Sequence, residues 1–368
     1  MTPQGPRPLP NQAASARSSA GNSSRGGGKP TVFPSGGKPT VFPKPYELIP
    51  FPTQRPTLER PAGHAQFHPD RLHGTLFLTL TVQTGVHIST GHLALGSDVG
   101  VKGIPVLKTM TTTPNGRLKI QGSSLKGAIR AMYEAITNST LAVMTSRYKN
   151  QIPPERHPCR NKEQLCPASR VFGALNWQGL VEFRDAIATS AGSGGGSLPP
   201  LYRPRPDQCK AYFQGENGRV IGRKFYYTHR NALQNSSRGT PTQQAIQNTV
   251  FKTQIHFKNL TPAELGTLLT VLGQDPKHSM LLKVGGGKPV GLGSLQVTLD
   301  KIERSGNLKD RYSRYDPPEA DTLEGKRLQA FVQEQIRAAQ GYILPEQLKR
   351  LAAILSPTAL REPPTGVY

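Results

Sequence analysis

Residues 74–88 read GTLFLTLTVQTGVHI, and in them Leu76, Leu78, Leu80 and Val82 alternate with Phe77, Thr79 and Thr81. Successive side chains of an extended chain point to opposite faces, so this period of two predicts a strand with one face buried. Such a strand is not stable alone; it requires neighbouring strands and a layer over its apolar face. FKTQIHF at 251–257 and the run 294–299 repeat the pattern, and a short strand is expected around 180–183. Between them, IQGSSLKGAIRAMYEAI at 120–136 sets Leu125, Ile129, Met132, Tyr133 and Ile136 at helical spacing behind Ser123 or Ser124 as cap. TPAELGTLLTVLG at 261–273 offers Thr261 as cap, Pro262 in the first turn and Glu264 to complete a capping box. The order strand, helix, strand, insertion, strand, helix, Gly-rich loop, strand predicts an α+β sandwich. Its helices lie on one face of a mostly antiparallel sheet, as in ferredoxin-like and RNA-recognition folds.

Regular structure is expected to begin after residue 71, with 89–103 an exposed loop and 189–200 (TSAGSGGGSLPP) a flexible connector. The 38 glycines and 34 prolines among 368 residues exceed ordinary usage, which suggests flexible segments around one compact centre. Residues 1–45 carry six basic side chains, no acid, and GGKPTVFP at both 27–34 and 36–43, a composition that cannot bury a core and reads as a flexible basic tail. Residues 46–300 read as the folded domain, with an insertion at about 187–250 in which basic, aromatic and turn residues alternate. Residues 301–368 read as a C-terminal helical appendage, its helices near 322–340 and 345–355.

Lysine and arginine outnumber acids 46 to 23, giving a net charge of +23. Neutralising phosphates with basic side chains releases condensed counterions, so this excess points to nucleic acid. No basic amphipathic helix of the membrane-surface kind stands out, no apolar run approaches the ~18 residues of a membrane span, and the N-terminus lacks a secretory apolar core. A cytoplasmic protein without a membrane partner is expected. Three cysteines make no disulfide framework.

VGGGKPVGLGSLQV at 284–297 invites comparison with a nucleotide-binding P-loop, but Lys288 is followed by Pro289 and the chain enters a strand where that motif opens a helix. Gly285, Gly286, Gly287 and Gly291 would instead let a sugar-phosphate chain lie against bare amides while Lys288 neutralises it; a tight turn is the plainer alternative. GSSLKG at 122–127 sets Gly122, Ser123 and Ser124 at a helix N-terminus, which favours a phosphate, with Lys126 and Arg130 four apart on one face. Its alternative is a capped helix with solvated charges. Arg223 and Lys224 beside Phe225, Tyr226 and Tyr227 mix charge with stacking rings, as single-strand RNA sites do. On this reading the two lysine-bearing bends lie side by side.

HPCRNKEQLCPASR at 157–170 supplies His157, Cys159 and Cys166, donors suited to zinc; a closed structural site needs a fourth, from Cys209 or a distant histidine, or there is no metal. His87 and His92 flank a loop holding Asp98, a disposition open to acid–base RNA cleavage. Ordinary loop histidines are the plainer explanation.

Taken together, IQGSSLKGAIR at 120–130, RVFGALNWQGLVEFRDA at 170–186, GRKFYYTHR at 222–230 and VGGGKPVGLGSLQV resemble, in this order, the RAMP superfamily of CRISPR proteins. Backbone subunits of type III effector complexes, III-D relatives in particular, are the nearest likeness, over about residues 45–300. The resemblance implies a ferredoxin-like core with a β-hairpin thumb, and CRISPR RNA held along GSSLKG and the Gly-rich loop. Complementary target RNA and other effector subunits would be the partners. Cleaving members carry an aspartate just before a short apolar segment with proline. In DVGVKGIPVLKT at 98–109 that position falls at Gly103, leaving Asp98 as the one acid of the loop. Relatives often have a further cysteine where this chain has Ser169. The resemblance therefore implies a non-cleaving RNA-binding subunit, the alternatives being a target-RNA endoribonuclease using Asp98 and a protein-docking scaffold.

Overall fold

The computed structural model describes residues 45–190, 192–199, 213–214, 218–233, 239–304, 313, 315–316 and 321–363. The repeat-bearing tail and Cys209 lie outside the described residues.

Leu72–Val82 forms the strand β1, with Leu76, Leu78, Leu80 and Val82 buried. On one side it pairs antiparallel with β3, Val250–Leu260, Leu78 opposite Thr253. On the other it pairs antiparallel with β4, Ser294–Arg304, Leu78 opposite Leu299. The second strand of the motif, β2, comes in two pieces, Val181–Phe183 and Ala186–Ala188, both against the far side of β3. Helix α1, Gly122–Ile136, connects β1 to β2, and helix α2, Pro262–Val271, connects β3 to β4. The spatial order β4-β1-β3-β2 with these two crossovers is the ferredoxin-like α+β arrangement that the alternation predicted. Lys119–Ile120 extends the sheet beyond β2, and Leu282–Lys283 extends it beyond β4.

Local sequence explains the helices in different ways. In α1 the residues Leu125, Ile129, Met132, Tyr133 and Ile136 form the buried stripe, but its cap is Gln121, and Ser123 and Ser124 fall inside the first turn. In α2 the capping box is complete. Thr261 Oγ1 accepts from the Glu264 amide at 3.1 Å and the Glu264 carboxylate accepts from the Thr261 amide at 3.0 Å. Two orphan donors of the first turn are thereby satisfied.

Three expectations are corrected. Structure begins before residue 72, because Tyr46–Pro50 pairs antiparallel with Gly222–Tyr226, Leu48 opposite Lys224; a five-residue strand ending in proline is too short to show a period. The stretches read as loop and connector contain strands Ser89–Leu95 and Ser193–Leu198. With Val106–Met110 and Thr240–Ala245 they build a second, four-stranded sheet, so a hairpin from 89–110 and the insertion meet. Finally, the C-terminal helices α3, Gly325–Ala338, and α4, Pro345–Ile354, are integral. Leu328, Phe331, Val332, Ile336, Leu348, Leu351 and Ile354 join the same hydrophobic cluster as the sheet. Helix α3 approaches α2 so closely at Gly266 that a Cβ there would collide with the Gln335 carbonyl.

Candidate nucleic-acid interface

The turn that opens α1 is closed by the chain's own acid. The Gly122 amide donates to Asp185 Oδ1 at 2.8 Å and Lys119 Nζ reaches Asp185 Oδ2 at 3.0 Å. The Gly122 bond, then Lys119, holds the Asp185 carboxyl below the usual carboxylate range. A carboxylate therefore sits at the helix end, where the partial positive charge favours an anion. Ser123 is exposed, while Ser124 and Lys126 are half-buried. Burial, and secondarily Arg130, lowers the Lys126 pKa.

Arg130 points inward. Its guanidinium donates to Glu134 Oε1 at 2.8 Å, the Gly173 carbonyl at 2.8 Å and Ser169 Oγ at 3.3 Å. Arg223 takes the other carboxylate oxygen of Glu134 at 2.7 Å and the carbonyls of Ser139 and Thr140 at 3.1 and 2.9 Å. The two arginines read from sequence as RNA contacts thus clamp α1 to the strand Gly222–Tyr226. Neighbouring Lys224 is half-buried, its Nζ 5.0 Å from the Tyr46 ring centre and 4.8 Å from that of Tyr226.

At the glycine-rich loop, Gly285, Gly287 and Gly291 take φ of 84°, 70° and 97°, the left-handed region. The loop is packed against its own chain: the Gly286 amide donates to the His87 carbonyl at 2.9 Å, and the Leu233 amide to the Val290 carbonyl at 2.8 Å. A Cβ on Gly291 would stand 2.6 Å from the Asn231 carbonyl. Tight turning and close chain crossing therefore account for much of the glycine content.

Around this loop the cations gather. Buried Lys283 donates to the Gly291 carbonyl at 3.3 Å and Ser294 Oγ at 3.1 Å. Burial first, then the Lys288 charge, takes its pKa from 10.5 down to about 7. Lys288 is half-buried and also lowered by burial. His87 and His229 are buried at either side of the loop; His87 Nδ1 lies 2.7 Å from the Gln243 carbonyl. His87 Nε2 and His229 Nδ1 have no partner among the described residues. Burial and then Lys283 bring His229 to about 4. Arg361 lies over the Tyr227 ring, 3.5 Å from its centre, and Arg230 pairs with Glu362 at 3.7 Å. Of these groups Arg230 and Arg361 are exposed and Lys288 is half-buried, and gathered accessible positive charge favours an incoming polyanion.

These shifts set a pH dependence. Lys283 binds its proton more weakly folded than unfolded, so the unfolded state carries more protons between pH ~7 and ~10, and stability rises with pH across that window. His229 acts likewise between about 4 and 6.5. Denaturant midpoints should climb from pH 7 to 9.5, and Lys283→Met should flatten that climb.

The two bends do not lie side by side. Lys119–Ile120, which leads into GSSLKG, borders β2, whereas Leu282–Lys283, which leads into the Gly-rich loop, borders β4. Four strand spacings of ~4.8 Å separate the edge strand from β4 alone. The joint grip expected from sequence is therefore set aside, and the loop with its cations is the stronger site.

The remaining candidates sit as follows. Asp98 is exposed in the turn Ser97–Val99 and accepts from Ser97 Oγ at 3.2 Å, with no ion pair among the described residues. Gly103 has φ 77° and open space around it, a backbone that an aspartate adopts with strain. His92 is exposed but His87 is buried, so the two share no accessible surface. His157 Nε2 faces the carbonyls of Lys149 and Ile152 at 3.3 and 3.1 Å. Cys159 and Cys166 are buried against Thr140 Oγ1, at 3.5 and 3.2 Å. Among the described residues no three histidines, cysteines or acids converge to hold a metal, and Cys209 lies outside them.

A strand order of 4-1-3-2 with two helical crossovers and a Gly-rich loop opening the fourth strand defines a ferredoxin-like α+β class of fold. Comparison with known families agrees: the model of the RAMP superfamily matches residues 79–296, well over half of the chain, and the chain belongs to that superfamily. No curated protein matches it. Among solved structures it is similar to a chain of the Type III-B Cmr-beta bound to cognate target RNA, at 16% identity, covering 63% of this chain and 61% of that one, with a TM-score of 0.34.

Proposed function

We propose that this chain is a CRISPR RNA-binding backbone subunit of a type III effector ribonucleoprotein. It holds guide RNA and helps to capture complementary target RNA without cleaving it. The observation that carries this reading is the gathering of Lys288, Arg230 and Arg361 beside the Gly-rich loop of a RAMP fold. Contacts of this kind recognise backbone and shape, so guide sequence matters little. Leu93, Leu95 and Val106, 64%, 53% and 44% exposed on the hairpin of the second sheet, suit neighbouring subunits of the complex. No described helix is long and apolar enough to cross a membrane.

The absence of cleavage rests on Gly103 standing where the resemblance implies an aspartate and on Asp98 being a lone exposed acid. The test compares assembled complexes carrying Asp98 or Asp98→Ala on end-labelled target RNA. Identical product patterns are expected; loss of one product from the variant would establish Asp98 as catalytic.

A further inference from the structure

A cavity of about 240 Å³ opens beside the Gly-rich loop, just beyond the end of β1. Its walls come from the end of β1, from the strand Ser193–Leu198 and from residues 230–233 and 244–247. Drug-sized ligands occupy roughly 300–1,000 Å³, so this space suits a single heterocycle.

Its lining has two characters. Ala232, Leu233, Ile246 and Leu292 supply apolar surface, while Gln83, Asn231, Gln244 and Gln247 supply carboxamides. No acid and no lysine lines it, and Arg230 at the lining is paired with Glu362. The side chains of Gln83, Asn231 and Gln247 have no hydrogen-bond partner among the described residues, whereas Gln244 Nε2 donates to Thr242 Oγ1 at 2.9 Å. A carboxamide offers an acceptor and two donors together, which the mixed edge of a nucleobase can satisfy in full and a phosphate, having no donor to give, only in part; the apolar walls match the faces of the base. The cavity is also joined to the loop: the Leu233 amide bonds the Val290 carbonyl at 2.8 Å, and Leu292 belongs to both.

We propose that this cavity receives one unstacked base of the RNA strand whose phosphates lie along the Gly-rich loop. The proposal deepens the RNA-binding reading and rests on it. Unstacking is least costly in a single strand, and hydrogen bonds in the cavity offset that cost.

The test uses the full chain and single-stranded RNA with 4-thiouridine at several positions, irradiated, with crosslinked peptides mapped by mass spectrometry. Crosslinks are expected in residues 192–199, 230–233 and 246–247. Ala232→Phe, which fills the cavity, should abolish them and weaken RNA binding about tenfold, the worth of a lost hydrogen bond or two. The salt dependence of binding should stay unchanged. Gln247→Ala, at an exposed position that leaves the core intact, should weaken the same crosslinks. Crosslinks confined to other peptides, with a normal salt dependence, would overturn the cavity while sparing the RNA-binding reading. Wild-type protein that neither binds nor crosslinks RNA would overturn both. Adenosine monophosphate binding as tightly as the RNA strand would show a free-nucleotide site and overturn the proposal as stated.

Discussion

Glu134→Ala is expected to lower the unfolding free energy by about 3–5 kcal/mol, the cost of breaking a buried ion pair from one side. The carboxylate is 4% exposed and lies between Arg130 at 2.8 Å and Arg223 at 2.7 Å. Burial pushes its pKa up even though both arginines pull it down, so desolvation outweighs the pairing. The native cluster is therefore costly, but leaving two guanidiniums without their acceptor is costlier. Chemical denaturation read by circular dichroism measures the difference. A triple replacement of Glu134, Arg130 and Arg223 by apolar residues of similar volume should recover much of the loss, since no unpaired charge then remains. An alanine variant as stable as the parent would show that Arg130 and Arg223 are not an internal clamp, and would reopen them as RNA contacts.

The second large effect is expected at Gly291. Its φ of 97° excludes ordinary side chains, and a Cβ would stand 2.6 Å from the Asn231 carbonyl and 3.0 Å from Ala232 Cα. Backbone strain of this kind costs on the order of 1–3 kcal/mol before any clash. Gly291→Val should therefore destabilise the fold by at least ~2 kcal/mol and displace the loop proposed to bind RNA. Gly127→Ala is the control: it is helical, exposed, and meets nothing within 4 Å. There alanine should stabilise by ~0.5–1 kcal/mol, because it restricts the unfolded chain at no steric cost. Thermal melts of the two variants should move in opposite directions.

Much of the architecture was legible because it rests on local periodicity. Leu76 to Val82, the stripe from Leu125 to Ile136 and the Thr261–Glu264 box each report a buried face or a cap within a few residues. What was not legible depends on pairing between distant segments. Tyr46–Pro50 becomes a strand through Gly222–Tyr226, and Ser193–Leu198 through Thr240–Ala245. Arg130 and Arg223 carry the same charge as any surface arginine; only the fold brings Glu134 between them. The same limit explains the two bends. GSSLKG and the Gly-rich loop have similar chemistry, yet strand order sets them at opposite edges of the sheet, and strand order is not written in composition. Lys283 and His229 were passed over because nothing local marks a lysine or histidine as buried. Their one sequence signal is nearness to the glycines, Lys283 two residues before Gly285 and His229 within the GRKFYYTHR run.

The Gly-rich loop as a phosphate-binding edge is tested most directly by the salt dependence of RNA binding, followed by fluorescence anisotropy on single-stranded RNA of guide length. Each lost phosphate contact should reduce the slope of log affinity against log salt by ~0.7 for a single strand. Lys288→Ala is predicted to flatten the slope by about that amount, whereas Lys126→Ala, beside a helix end already occupied by Asp185, should change it less. A Lys288→Ala line parallel to that of the parent chain would contradict the assignment of this loop to the RNA backbone.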